Sequence, residues 1–248
     1  IPLGGKGIRF VNEGYTIPKP LIKIFDKTMI EYVIDNINTS FTPEDKLFII
    51  YNNNLNNFNF KDFIINKYPE CKLIKLENET SGAAETLLLG IKYILNNYQY
   101  NEKSLIIDCD TFYTQNIINM FRKSTNNCVF YTKKDEKLNN VIKPIYSYIN
   151  LDNEITPNII QIAEKCKISD NANTGAYAFL NIKLLYKYFN YVIDNKIPCN
   201  NNKGFQIKCK QINHQLENND FMTPCLPTTH DFDYECSQLG WKKNKNNN

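Results

Sequence analysis

Three glycines fall within four positions near the start of the chain, in Leu3-Gly4-Gly5-Lys6-Gly7-Ile8-Arg9-Phe10, and Pro18-Lys19-Pro20-Leu21-Ile22 follows closely. Glycine lets backbone N–H groups approach an oxyanion, and cations at Arg9 and Lys19 neutralise charge that develops as phosphoryl groups move. The combination suits a polyphosphate. Its spacing is neither Gly-x-x-x-x-Gly-Lys-Ser/Thr nor Gly-x-Gly-x-x-Gly, so the P-loop and dinucleotide fingerprints do not apply. A turn joining a strand to a helix is the plainer use of the glycines taken alone.

Carboxylates form the second group. A Leu-Ile-Ile run over 104–107 reads as a buried strand and ends at Asp108-Cys109-Asp110. In open parallel sheets ligands sit beyond the carboxyl ends of the strands, so these acids are expected where the glycine loop also lies. A carboxylate there can hold Mg²⁺, a hard cation that takes oxygen ligands and bridges phosphate oxygens. Capping of a helix expected over 116–123 is the alternative use of either acid.

Two further groups complete the inventory. In Glu79-Thr80-Ser81-Gly82-Ala83-Ala84-Glu85-Thr86 small residues enter a helix, which leaves room for a flat base or a phosphate against the backbone. Tight packing of helix on sheet uses small residues equally well. Ala163-Glu164-Lys165, Ile168-Ser169-Asp170 and Asn173-Thr174-Gly175-Ala176-Tyr177 gather hydroxyl-reading groups and a cation, the set a sugar phosphate requires. An exposed hairpin with a glycine turn is the alternative there.

The glycine segment with its Pro-Lys-Pro-Leu sequel resembles the signature of the sugar-phosphate nucleotidyltransferases. The likeness runs in motif order along nearly the whole chain, strongest over 3–34 and 160–180 and weakest after 200, and the segment from Ile168 to Gly175 looks like the capsular or lipopolysaccharide branch. It implies a Rossmann-like, three-layer α/β/α domain with a mostly parallel mixed central sheet, the GT-A-like nucleotidyltransferase fold. It also implies an enzyme that joins a nucleoside triphosphate to a sugar 1-phosphate with Mg²⁺. On that resemblance Leu3, Gly4, Gly5, Lys6, Gly7, Thr80, Ser81, Gly82 and Asp108 bind nucleotide. Arg9 clamps the β- and γ-phosphates and Lys19 the α-phosphate, and Asp110 is a metal ligand. Glu164, Lys165, Asn173, Thr174 and Gly175 bind the sugar phosphate. The family's Gly-Thr-Pro-Glu-Asp segment falls at Thr228-Thr229-His230-Asp231-Phe232-Asp233-Tyr234-Glu235, which lacks both the Gly and the Pro; Asp231 is the candidate second metal ligand.

These residues need a scaffold, and the apolar pattern supplies one. Strands are expected at 1–3, 47–51, 72–76, 104–107, 127–132, 159–164 and 174–180, alternating with helices at 29–37, 58–68, 81–95, 116–123 and 182–193, as in a parallel sheet covered by helices. Residues 200–219 are expected to form a helix, or a loop and a helix. The 248 residues, 42% hydrophobic, suit one domain over 1–240, with a nucleotide-binding half at about 1–115 and a sugar-binding half at about 116–240. Residues 241–248 read as a polar tail or the start of a linker, and Ile1 reads as the middle of a first strand whose opening residues are expected to be missing.

The formal net charge of +3, with lysines scattered, gives no nucleic-acid footprint. Eight cysteines without a C-x-x-C pair point to buried thiols in a reducing, cytoplasmic setting rather than to zinc. No apolar run reaches the roughly 20 residues that span a bilayer. Base, sugar, oligomeric state and any further carboxyl-terminal domain stay open. Three other functions also stay open: a metal-dependent glycosyltransferase using Asp108-Cys109-Asp110, a cytidylyltransferase acting on polyol or choline phosphate, and a degenerate copy that binds nucleotide without catalysis.

Overall fold

A computed structural model describes residues 1–98, 100–133, 146–153 and 157–195, and the backbone of strand segments at 206–207, 222–225 and 229–231. The first elements are β1 (Pro2–Leu3), α1 (Ile8–Asn12), β2 (Lys23–Ile24), β3 (Lys27–Thr28), α2 (Met29–Asn38), β4 (Phe48–Asn52), α3 (Phe60–Lys67), β5 (Lys72–Leu76) and α4 (Ala83–Tyr98). Next come β6 (Ser104–Ile107), β7 (Thr111–Tyr113), α5 (Ile117–Lys123), β8 (Asn127–Lys133), β9 (Ser147–Leu151), β10 (Ile159–Glu164), β11 (Asn171–Phe179) and α6 (Ile182–Asp194). Three short strands close the order: β12 (Gln206–Ile207), β13 (Met222–Cys225) and β14 (Thr229–Asp231). Within 200–219, Gln206–Ile207 is strand rather than helix; the rest of that segment and the tail at 241–248 lie outside the described residues.

The architecture is mixed α/β, with a parallel first half and a largely antiparallel second half. β1, β4 and β5 pair in parallel, Leu3 opposite Tyr51 and Ile50 opposite Ile74. β4 is buried along nearly all its length, the continuous apolar pattern of a strand covered on both faces. On one face α2, α3 and α5 bury Val33, Ile34, Phe60, Ile64, Ile117 and Phe121; on the other α4 and α6 bury Leu87, Ile91, Ile94, Ile182 and Leu185. Each such side chain contributes about 1.5–3 kcal/mol on leaving water. Gly90 lets α4 come close to the sheet, since a Cβ there would lie 2.2 Å from the Ile50 Cδ1.

Local chemistry sets the helix starts. Thr28 and Glu31 form a capping box at α2, where the Glu31 carboxylate accepts from the Thr28 N–H at 2.6 Å. Asn116 caps α5 by accepting from the Asn119 N–H at 2.9 Å, so neither Asp108 nor Asp110 serves there. In α4 the Glu85 carboxylate reaches back to the Ser81 N–H at 2.6 Å. Cys71, at the mouth of β5, is buried, and burial pushes its thiol up to about 11.

In the second half β11 is the hub. It pairs antiparallel with β8 on one edge; on the other, β9 runs beside its start and β6 beside its end. Ala172 is opposite Tyr148 and Ala176 opposite Ile107, so the two neighbours leave an opening along Asn173–Gly175. Such a break in strand order is where open sheets admit ligands. A cavity of about 280 Å³ lies elsewhere, at the amino ends of β1, β4 and β6, lined by apolar residues such as Ile1, Phe48, Ile91 and Leu105 and by charged ones such as Asp45, Lys103 and Arg122. Two of its cations are already engaged, Arg122 with the Asp45 carboxylate and Lys103 with the carbonyls of Phe121, Arg122 and Ser124. No described helix is long and apolar enough to cross a membrane.

Candidate active site

The glycine loop leaves β1 and turns into α1. Gly7 takes φ 61, a left-handed conformation that suits glycine, and caps α1. Gly4 packs so closely that a Cβ on it would lie 2.1 Å from the Thr86 Oγ1 and 3.0 Å from the Thr80 Oγ1. The Asn52 side chain, at the end of β4, donates to the Gly4 carbonyl at 3.2 Å. Among the described residues the backbone N–H groups of Gly5, Lys6 and Gly7 donate no hydrogen bond. Successive N–H groups left open in a turn form an anion-binding concavity. Leu3 is buried, so it offers its backbone alone.

Two cations and an acid border this cradle. The Lys19 ammonium pairs with the Asp110 carboxylate and sits 5.3 Å from the centre of the Phe10 ring. Lys6 pairs with Glu79 at 2.6 Å, and the Asn54 side-chain amide donates to the same carboxylate at 3.4 Å. Thr80 and Thr86 share a hydroxyl contact of 2.6 Å, which ties the expected base-binding loop to the underside of Gly4. Gly82 has open space around it, and Arg9 is exposed on α1.

Asp108 joins the two halves. Its N–H donates to the Gly175 carbonyl at 2.9 Å, and a Cβ on Gly175 (φ 77) would lie 2.5 Å from the Asp108 Oδ2. Burial pushes the Asp108 carboxyl up to about 7; the Asp110 charge adds to the rise, and the Lys19 ammonium opposes it. Among the described residues no three His, Cys, Asp or Glu side chains are placed to surround an ion. Mg²⁺ arriving on phosphate oxygens needs only one or two protein carboxylates, and Asp108 and Asp110 are carboxylates that could serve. The Asp231 backbone is opposite Thr111, the residue after Asp110; its side chain lies outside the described residues.

The antiparallel half supplies side chains. Glu164 faces Ser147 across β10 and β9, accepts from its hydroxyl, and lies 3.7 Å from the Lys165 ammonium. Lys165 itself adopts φ 50 and is exposed. The Asn173 amide oxygen accepts from the Gly175 N–H at 2.8 Å, and its amide nitrogen donates to the Tyr177 hydroxyl at 3.0 Å. Burial, and then the nearby Asp108 charge, raise the Tyr177 pKa, so the phenol keeps its proton. Thr174 differs from its neighbours: its hydroxyl donates to the Phe130 carbonyl at 2.8 Å inside the sheet, and its carbonyl accepts from the Tyr113 hydroxyl at 3.0 Å. Its side chain braces the opening rather than facing it.

The glycine loop, Lys19, Asp110, Asp108 and Gly175 therefore form one connected set, with Glu164 and Asn173 on its far side. Sequence reasoning missed Asn52, Ser147 and Tyr113, and quoted Thr86 and Tyr177 without a role of their own. The contacts of Asn52, Thr86, Ser147 and Tyr113 join segments far apart along the chain, which local spacing does not carry.

The fold has counterparts among known proteins. A family model described as Nucleotidyl transferase matches residues 1–222. A nucleoside-diphosphate-sugar pyrophosphorylase from Vibrio cholerae is similar in structure with a TM-score of 0.67 at 18% identity, over 91% of this chain and 90% of that one. A UDP-glucose pyrophosphorylase from Acinetobacter baumannii gives 0.64 at 14% identity, over 97% and 90%. An inositol-1-phosphate CTP transferase from T. maritima gives 0.63 at 13% identity, over 92% and 86%. No curated protein sequence matches significantly. With the family model covering residues 1–222, the chain belongs to the nucleotidyl transferase family.

Proposed function

We propose that the protein condenses a nucleoside triphosphate with a sugar 1-phosphate, giving a nucleotide-sugar and pyrophosphate. One observation carries this reading: an open backbone cradle at Gly5–Gly7 leads, through Lys19, Asp110 and Asp108, to a second set of polar side chains around Glu164 and Asn173. Residues up to about 115 would hold the nucleotide, and residues 116–240 the acceptor. A phosphate oxygen of the acceptor attacks the α-phosphorus; the bond from that phosphorus to the bridging oxygen breaks, and pyrophosphate leaves with the electron pair. The attacking group is already an anion, so no general base is needed, and positioning and charge neutralisation dominate.

In this scheme the N–H groups of Gly5, Lys6 and Gly7 bind phosphate oxygens, Arg9 draws in the β- and γ-phosphates, and Lys19 takes the α-phosphate. Thr80, Ser81 and Gly82 border the base. Mg²⁺ on Asp110, with Asp108 and Asp231 beside it, would neutralise phosphate charge when bound. Glu164 accepts from acceptor hydroxyls, the Tyr177 phenol donates to them, and Lys165 faces the acceptor phosphate. Asn173 holds the Tyr177 phenol and the Gly175 backbone in place.

A polyol phosphate is the second reading, because Glu164 and Tyr177 would read a polyol hydroxyl as readily as a sugar hydroxyl. A relative of similar fold is named for inositol 1-phosphate and CTP. Incubation with UTP, dTTP, CTP or GTP, Mg²⁺ and a panel of glucose, mannose, inositol and choline phosphates separates the cases. Pyrophosphate release with a sugar 1-phosphate is expected. Release with inositol phosphate alone moves the assignment to the polyol, and release from none of them defeats it.

A further inference from the structure

We propose that Lys19 gates the entry of a divalent cation to Asp110, giving up that carboxylate when a triphosphate offers its ammonium another anion. The proposal rests on the reading of Asp110 as a metal ligand. The Lys19 ammonium lies on the Asp110 Oδ2. An ammonium on that carboxylate competes with a metal ion for its charge, because the two cations would repel each other a few ångströms apart. The two side chains are only 16% and 19% exposed, so water screens the competition poorly.

The surroundings of Lys19 give it a second place to go. Its Cβ lies 3.5 Å from where a Cβ on Gly7 would stand, which sets the side chain directly against the glycine loop. Its ammonium also lies over the Phe10 ring, on the α1 side of the site. The backbone is fixed between Pro18 and Pro20 at the head of a short 3-10 turn, so the movement belongs to side-chain torsions. A phosphate in the cradle of Gly5, Lys6 and Gly7 N–H groups is the anion that would draw the ammonium off Asp110. Metal and triphosphate affinities are then coupled, and by linkage each strengthens the other equally.

The test is Mn²⁺ binding to nucleotide-free protein, read from the electron paramagnetic resonance signal of unbound Mn²⁺. Lys19→Gln should bind Mn²⁺ about tenfold more tightly than wild type, or better, a factor within the range of coupled sites. Lys19→Arg, which keeps the charge, should remain as weak as wild type. Lys19→Met repeats the first measurement should the Gln variant melt early. Equal Mn²⁺ affinity in Lys19→Gln, Lys19→Met and wild type, with binding abolished by Asp110→Asn, overturns the gate and leaves the metal assignment standing. Undiminished binding in the Lys19→Gln, Asp110→Asn double variant overturns both.

Discussion

Between β1 and α1 the groups presented to a ligand belong to the main chain: the N–H donors of Gly5, Lys6 and Gly7, shaped by a left-handed Gly7 and by Gly4 lying on Thr86. On β10 and β11 the groups proposed to meet a ligand are side chains, Glu164 and Tyr177, held by Ser147 and Asn173. The first region is indifferent to most side-chain changes and intolerant of an added Cβ at Gly4. On the proposed reading, the second would change its ligand preference as its side chains are replaced. A conserved reaction and a variable acceptor can thus be divided between parallel and antiparallel halves of one molecule.

Substitutions can break that division. Asp110→Asn, at the junction, should lower turnover by roughly 10²-fold or more while leaving the melting curve close to wild type, as removal of a transition-state charge partner does. Gly4→Ala should cost about 1–3 kcal/mol in denaturant unfolding, because its Cβ would overlap Thr86, and should weaken triphosphate binding with it. Glu164→Gln should raise KM for the acceptor by roughly tenfold and leave the KM for triphosphate unchanged. Equal effects on both substrates would erase the distinction between the halves.

Asp108→Asn tests the seam by pH. The folded carboxyl titrates near 7 against an ordinary 3.8, so the protonated form is favoured in the fold. Its contribution is full below the ordinary value, is lost as pH rises toward 7, and stays lost above. Melting temperatures without metal should therefore show the variant gaining on wild type between about pH 4 and pH 7, with a constant gap beyond. Lys6→Ala should do least: the Lys6–Glu79 pair is 54% and 55% exposed, and its loss should change stability by less than about 0.5 kcal/mol.

The legible parts of the sequence were those with a local cause. The apolar positions of α2, the Leu-Ile-Ile run of β6 and the glycines before α1 each state their conformation within a few residues, and the structure places all three as expected. β9 was not read, because Ser147-Tyr148-Ile149-Asn150-Leu151 is a short run with no strong local signal and gains its place by pairing with β10. The β2–β3 hairpin was missed because its turn residue Phe25 holds φ 55, where Gly or Asn would have signalled the turn. Thr174 could not be read correctly from spacing, since only the register of β11 against β8 shows that its hydroxyl meets Phe130.

Cys71 provides a clock for the parallel half. A shielded thiol with its proton held up to about 11 reacts negligibly with an alkylating reagent at neutral pH until the β5 edge opens. The alkylation rate followed by mass, with and without triphosphate, would report how often that edge opens and whether filling the cradle slows it.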